Sequence, residues 1–261
     1  VVLKQETTRQ FNLVCPLRHD NPSALKFLIY LVTYSKEDVS LKDNQENTMQ
    51  KLQIFDFDGT LVFTPTDNAK TRKLFEDETG IPWVIDKKLA RKLTNRLGRP
   101  ITMRKGWFGR KETLEPPLVP NPTPDEMINR SVCDLFLQSK QDENALTVMM
   151  TGRHEGLRSH VLRILNDVGL VDVKYEDGKA IQTDSDVVCY LNGNNGPAPE
   201  IVGQKPHETH PWKIWILEQL IHVGNYDLIE IWEDRKKYIK PFEEFGESIE
   251  EDFVVHFVEG N

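Results

Sequence analysis

The run Lys51-Leu52-Gln53-Ile54-Phe55-Asp56-Phe57-Asp58-Gly59-Thr60-Leu61 constrains the fold more than any other stretch of the chain. Leu52, Ile54 and Phe55 fit a short buried strand, and Gly59 ends it where the backbone must turn sharply. Asp56 and Asp58 then stand at the carboxyl end of a strand, the edge at which open α/β sheets bind their ligands. One residue separates the two acids, so on an extended strand they share a face. Where the chain begins to unwind, a carboxylate and a neighbouring carbonyl can converge on one hard cation. One carboxylate can attack while the other moves a proton. A strand followed by a plain acidic turn would also use Asp-Gly, so the segments downstream decide between the two.

The next segment that reads as a core strand is Ala145 to Met150. The intervening residues 63 to 144 are too many for an ordinary loop. Asn68 to Gly80 and Ile85 to Gly98 read as helices ended by glycine. Thr123-Pro124-Asp125-Glu126 reads as a capping box opening a helix with Ile128, Val132, Leu135 and Phe136 on one face. Ahead of the first strand, Phe11 to Cys15 fits a strand and Asn21-Pro22 opens a capped helix. Residues 1 to 50 are either the remnant of an upstream domain or a packing extension.

After Ala145 to Met150 come Thr151-Gly152-Arg153 and a helix carrying Leu157, Val161, Ile164, Leu165 and Val168, ended by Gly169. The Thr151 hydroxyl and backbone N–H groups near a helix start suit a phosphate oxygen. Val171 to Tyr175 and Val187 to Leu191 read as further strands. Thr209-His210-Pro211-Trp212-Lys213 then opens an apolar helix, with Lys213 in the first turn, where the helix dipole disfavours a cation. A local rule broken without local compensation points to function. Tyr226 to Trp232 is another strand, ending in Glu233-Asp234-Arg235, and Phe253 to Val258 is a closing strand. In a parallel sheet Glu233 and Asp234 would meet Asp56 and Asp58.

Asp56-x-Asp58-Gly59-Thr60-Leu61 resembles the first motif of the haloacid dehalogenase superfamily, and Thr151, Lys213 and Glu233-Asp234 resemble its second, third and fourth in the same order. The resemblance implies a Rossmann-like α/β fold: a parallel sheet with helices on both faces over residues 51 to 261, with a mainly helical cap inserted at about 63 to 122. It implies a phosphatase working through an aspartyl-phosphate, with Asp56 as nucleophile, Asp58 as acid and base, and Thr151 and Lys213 holding the transferring group. Gly59, Thr60, Gly152 and Arg153 would line the phosphate. Mg²⁺ would be bound by Asp56, the Asp58 backbone carbonyl and Asp234, with Glu233 a further candidate. Thr-Gly-Arg, Trp-Lys, Trp-Glu-Asp-Arg and Gly106-Trp107-Phe108-Gly109 together look like the Swiss-army-knife RNA-repair-like domains of this superfamily. More distantly they are similar to the phosphatase half of polynucleotide kinase-phosphatases. That implies a phosphorylated RNA or DNA end as substrate; a small phosphorylated metabolite, or a catalytically idle binding module, is the alternative.

Charge bears on that choice. The chain's formal charge is −8, which argues against general coating of nucleic acid or membrane. Yet Lys87 to Lys111 holds ten cations and no acid. Arg104, Lys105 and Arg110 are candidate phosphate contacts there, and Trp107 beside them is a candidate stacking surface for a base. A solvated basic helix with its aromatics in a core is the competing explanation. Cys15, Cys133 and Cys189 make neither a disulfide framework nor a zinc pattern. The longest apolar run, Leu25 to Tyr34, is too short to span a bilayer, and no signal peptide is visible. The expectation is an intracellular protein, cytoplasmic or nuclear, with no membrane partner.

Overall fold

The computed structural model describes residues 49–102, 104 and 106–259. The strand expected over 11–15 and the helix expected after 21–22 lie outside them. Five strands form one parallel sheet: β1 (Lys51–Phe55), β2 (Ala145–His154), β5 (Val187–Asn192), β6 (Leu228–Glu233) and β7 (Asp252–Phe257), in the order β5-β2-β1-β6-β7. β1 is central: Leu52 and Ile54 are buried on one face and Phe55 on the other, while Lys51 and Gln53, on the Phe55 side, are only partly buried.

Helices cover each face. On one, α3 (Arg130–Gln141) and α4 (Arg158–Asp167) bring Val132, Phe136, Val161 and Leu165 onto Phe55, Met149 and Cys189. On the other, α5 (Thr209–Val223) and α6 (Lys236–Gly246) bring Trp212, Ile216, Leu220 and Phe242 onto Leu52, Ile54, Val148 and Ile231. Alternate strand residues feed alternate faces, as the pleat requires.

The segment between β1 and α3 carries α1 (Ala69–Thr79) and α2 (Lys87–Leu97), each N-capped by the side chain before it and ended by a left-handed glycine. These match the expected helices. The capping box at Thr123 does not form. The Thr123 amide and hydroxyl both donate to Asp167 Oδ2, and a single 3₁₀ turn at Asp125–Met127 precedes α3, which starts only at Arg130. A partner on α4 outcompeted the local one.

Two further expectations change. The strand expected over Val171 to Tyr175 is β3 (Val173–Glu176), which lies outside the main sheet and pairs antiparallel with β4 (Lys179–Gln182). Asp177 and Gly178, both at positive φ, make the two-residue turn between them. The second is α6, unforeseen in an acidic tail and with Pro241 inside it.

Candidate active site

The strand order creates the site. From β1 the chain builds outward to β2 and β5, then crosses to the opposite side of β1 to lay down β6 and β7. The reversal falls between β1 and β6, and a ligand crevice opens at the carboxyl ends of such a pair. Phe55 is in register with Trp232, and the Asp56 amide donates to the Trp232 carbonyl at 3.0 Å. Asp56 is thereby set beside Glu233 and Asp234. Gly59, at φ +80, lets the chain turn past them: a Cβ there would lie 2.2 Å from Asp234 Oδ2.

Lys213 ties the acids together. It rises from α5 into a buried position, donating to Asp56 Oδ1 at 2.8 Å and to Glu233 Oε2 at 2.7 Å. Burial alone would lower its pKa, but the Asp56 and Glu233 charges outweigh that and raise it, so the ammonium keeps its charge. α5 can come this close because Gly152 has no side chain, a Cβ there falling 2.6 Å from Thr209 Cγ2.

Oxygens of Asp56, Glu233 and Asp234 lie within 4.8 Å of one another. Burial, with only partial relief from Lys213 and added repulsion from the neighbouring acids, pushes Asp56 up to about 8. Burial and Glu233 push Asp234 up to about 7. Among the described residues, Asp234 Oδ1 is buried without a hydrogen-bond partner. Crowded carboxylates, an orphaned oxygen and an all-oxygen donor set fit a hard divalent cation.

The Asp58 carboxylate is not part of that group. Arg153, fully buried, grips it through Nε (2.9 Å to Oδ2) and Nη2 (2.7 Å to Oδ1), and Thr64 Oγ1 donates to it at 2.5 Å. Arg153 Nη1 meanwhile donates to the Phe108 carbonyl at 3.0 Å and to Thr113 Oγ1 at 2.7 Å. The expected phosphate-lining role for Arg153 gives way to a clamp joining Asp58 to the inserted segment. Thr151 is fully buried and its hydroxyl accepts the Arg153 amide at 3.2 Å. Thr151-Gly152-Arg153, expected between the strand and the next helix, instead belongs to the end of β2, where pairing with β5 shifts register. α4 begins only at Arg158, after a 3₁₀ turn at Glu155–Leu157, so no helix start stands beside Thr151. Thr60 is buried, and its hydroxyl has no partner among the described residues.

The basic stretch divides. Trp107 is buried with Phe75, Trp83 and Leu118, and its indole N–H donates to the Pro65 carbonyl at 2.6 Å, so it is no platform for a base. Arg104 lies over the Phe75 and Trp83 rings and faces Glu112 at 3.5 Å, which makes it packing for the same cluster rather than a phosphate contact. Lys105 lies outside the described residues, and Arg110 is half-buried. Among the exposed cations, Lys87, Lys88, Arg91, Lys92 and Arg96 sit on α2, while Arg99 donates to the Gly80 carbonyl and Lys111 pairs with Glu115 at 3.4 Å.

Residue-level reading missed Arg235. Its guanidinium carbon lies 5.1 Å from the Phe108 ring centroid and 5.7 Å from that of Tyr238, while Arg153 lies 4.9 Å from the same Phe108 ring. The available signal was its position directly after two strand-end acids. Thr64 and Thr113, which position Asp58 and Arg153, carry no sequence signal of that kind.

No curated protein matches the chain. Among solved structures it is similar to the Legionella pneumophila effector Ceg4 at 9% identity and a TM-score of 0.42, over 84% of this chain and 91% of that one. The model of HAD domain family 1 in Swiss Army Knife RNA repair proteins matches residues 87–258, which include Thr151, Lys213, Glu233 and Asp234. With more than half of its length in that match and a five-stranded parallel sheet closing around Asp56, the chain belongs to this haloacid dehalogenase-type family.

Proposed function

We propose that the protein is a Mg²⁺-dependent phosphomonoester hydrolase working through an aspartyl-phosphate at Asp56. The observation that carries this is the buried Lys213 bridging Asp56 and Glu233 at 2.8 and 2.7 Å, beside an unpartnered Asp234 oxygen. Asp56 attacks phosphorus, the bond to the leaving oxygen breaks, and that oxygen takes a proton from Asp58, which enters this step protonated and pairs with Arg153 as a carboxylate once the proton has gone. Water then attacks the aspartyl-phosphate and yields its proton to Asp58. Inorganic phosphate leaves and the Asp56 carboxylate is restored. Lys213 orients Asp56 and stabilises charge on the transferring group. Both Glu233 oxygens are occupied, one by Lys213 and one by the Arg235 amide at 3.2 Å, so Asp56 and Asp234 would be the direct metal ligands, with Glu233 steadying Lys213. When bound, Mg²⁺ would neutralise charge on the phosphoryl oxygens.

The substrate we favour is a phosphorylated RNA end. Its support is the family's association with RNA repair and the exposed cations of α2 in an otherwise acidic chain. A small phosphorylated metabolite is the second reading, favoured by the folding of Arg104 and Trp107 into the inserted segment. Phosphate release from 3′- and 5′-phosphorylated oligonucleotides, nucleotides, sugar phosphates and an aryl phosphate, with and without Mg²⁺, separates the two. Asp56→Asn should abolish release from every substrate while the circular dichroism spectrum is kept. Turnover by that folded variant excludes the aspartyl-phosphate route.

A further inference from the structure

We propose that Arg235 is a substrate-binding residue that grips the oxygens of the phosphoryl group presented to Asp56. This rests on the hydrolase reading and deepens it. Three observations converge on this residue.

The first is what surrounds its charge. Arg153, Arg158 and Arg163 each meet a carboxylate, on Asp58, Glu155 and Asp167. Arg235 has none within salt-bridge distance among the described residues, and its guanidinium carbon rests instead over Phe108 and Tyr238. Even with Tyr238 also engaging it by a hydrogen bond, most of its N–H donors stay available for a bidentate anion, because an aromatic face holds a guanidinium without consuming them.

The second is place. Arg235 follows Glu233 and Asp234 directly, its amide donates to Glu233 Oε1, and its side chain is half-buried at the carboxyl edge of β6. Asp56 acts on its charge: burial would lower the Arg235 pKa, and Asp56 leads the groups that raise it.

The third is charge balance. Asp56, Glu233 and Asp234 face Lys213, while Asp58 is already matched by Arg153. One ammonium and one divalent cation would only cancel the three carboxylates. An incoming phosphate dianion would then meet no net positive charge unless another cation stood at the entrance, and Arg235 supplies it.

The test compares wild type with Arg235→Met, Arg235→Lys and Lys236→Met, each first shown to melt cooperatively. Lys236 is exposed against Phe257, and its substitution removes the same charge one residue away. Two quantities are read: inorganic phosphate affinity by titration calorimetry with Mg²⁺, and kcat and KM on an aryl phosphate. Arg235→Met should bind phosphate about ten- to a hundredfold more weakly, as for loss of a charged hydrogen-bond pair, with KM raised in step. Arg235→Lys should fall between, and Lys236→Met should match wild type. Wild-type phosphate affinity in Arg235→Met overturns the proposal, as does an equal loss in Lys236→Met or no phosphate binding by wild type. Should Arg235→Met not fold, Arg235→Gln takes its place on the same criteria. If wild type binds phosphate through Arg235 but turns over no substrate, the hydrolase reading fails and this one stands. Turnover with KM and phosphate affinity indifferent to Arg235 overturns this proposal and leaves the hydrolase reading intact.

Discussion

Asp58 and Arg153 form a buried ion pair that joins the chain just beyond β1 to the end of β2. Removing one partner from such a pair strands a charge, whereas removing both can be nearly neutral. Arg153→Met should therefore lower unfolding stability by about 3 to 5 kcal/mol in a denaturant titration. Adding Asp58→Asn to it should recover most of that loss. A single variant as stable as wild type would show that the pair contributes nothing to the fold. Asp56, Asp58 and Lys213 were legible in the sequence because each sits at a fixed offset from a strand end or helix start. Arg153 was legible as a site residue but not as a clamp, since its partners Phe108 and Thr113 come from a distant segment. Trp107 and Arg104 were misassigned for the same reason: Phe75 and Trp83 decide their burial, and no local pattern reports that.

Among the elements, α2 stands out because it works against itself. Lys87 and Arg91, Lys88 and Lys92, and Lys92 and Arg96 are like charges four residues apart, each pair costing a few tenths of a kcal/mol. Its first turn holds Lys87 and Lys88 and no acid, so the dipole is opposed there by both cations and complemented only by the Asp86 N-cap before them. An external anion would relieve both. Lys88→Gln, Arg91→Gln and Lys92→Gln together should weaken binding of a phosphorylated single-stranded RNA. The log–log salt dependence should become shallower by about 0.7 for each phosphate that is no longer neutralised. Aryl phosphate hydrolysis should be unchanged. Identical salt slopes for variant and wild type would return α2 to the role of a solvated face. Helices α1 and α2 were readable because Asn68, Asp86, Gly80 and Gly98 cap them locally. The box at Thr123 failed because Asp167 lies across a tertiary contact, and α6 escaped notice behind Pro241 and its acidic surroundings.

For the whole molecule, the acid cluster predicts how stability follows pH. Asp56 and Asp234 hold their protons up to about 8 and about 7, against an ordinary value of 3.8. Between those values the folded protein binds more protons than the unfolded chain, so these two groups make stability fall as pH rises from about 4 to about 8. Divalent cation binding favours the deprotonated carboxylates, so Mg²⁺ should raise the melting temperature more at pH 8 than at pH 6. Melting curves of wild type and Asp56→Asn across that range, with and without Mg²⁺, check this; an equal Mg²⁺ shift at both pH values contradicts it. The same architecture governs how the molecule comes into being. β1 is made before either of its neighbours, and meets them only after residues 145 and 228 have been synthesised. Until then Leu52, Ile54 and Phe55 lack both of the strands that flank them among the described residues, a long-range closure that slows folding and exposes the nascent chain to aggregation. Asp56 gains Glu233 and Asp234 only when β6 docks, so the growing polypeptide acquires its acid cluster in one late step.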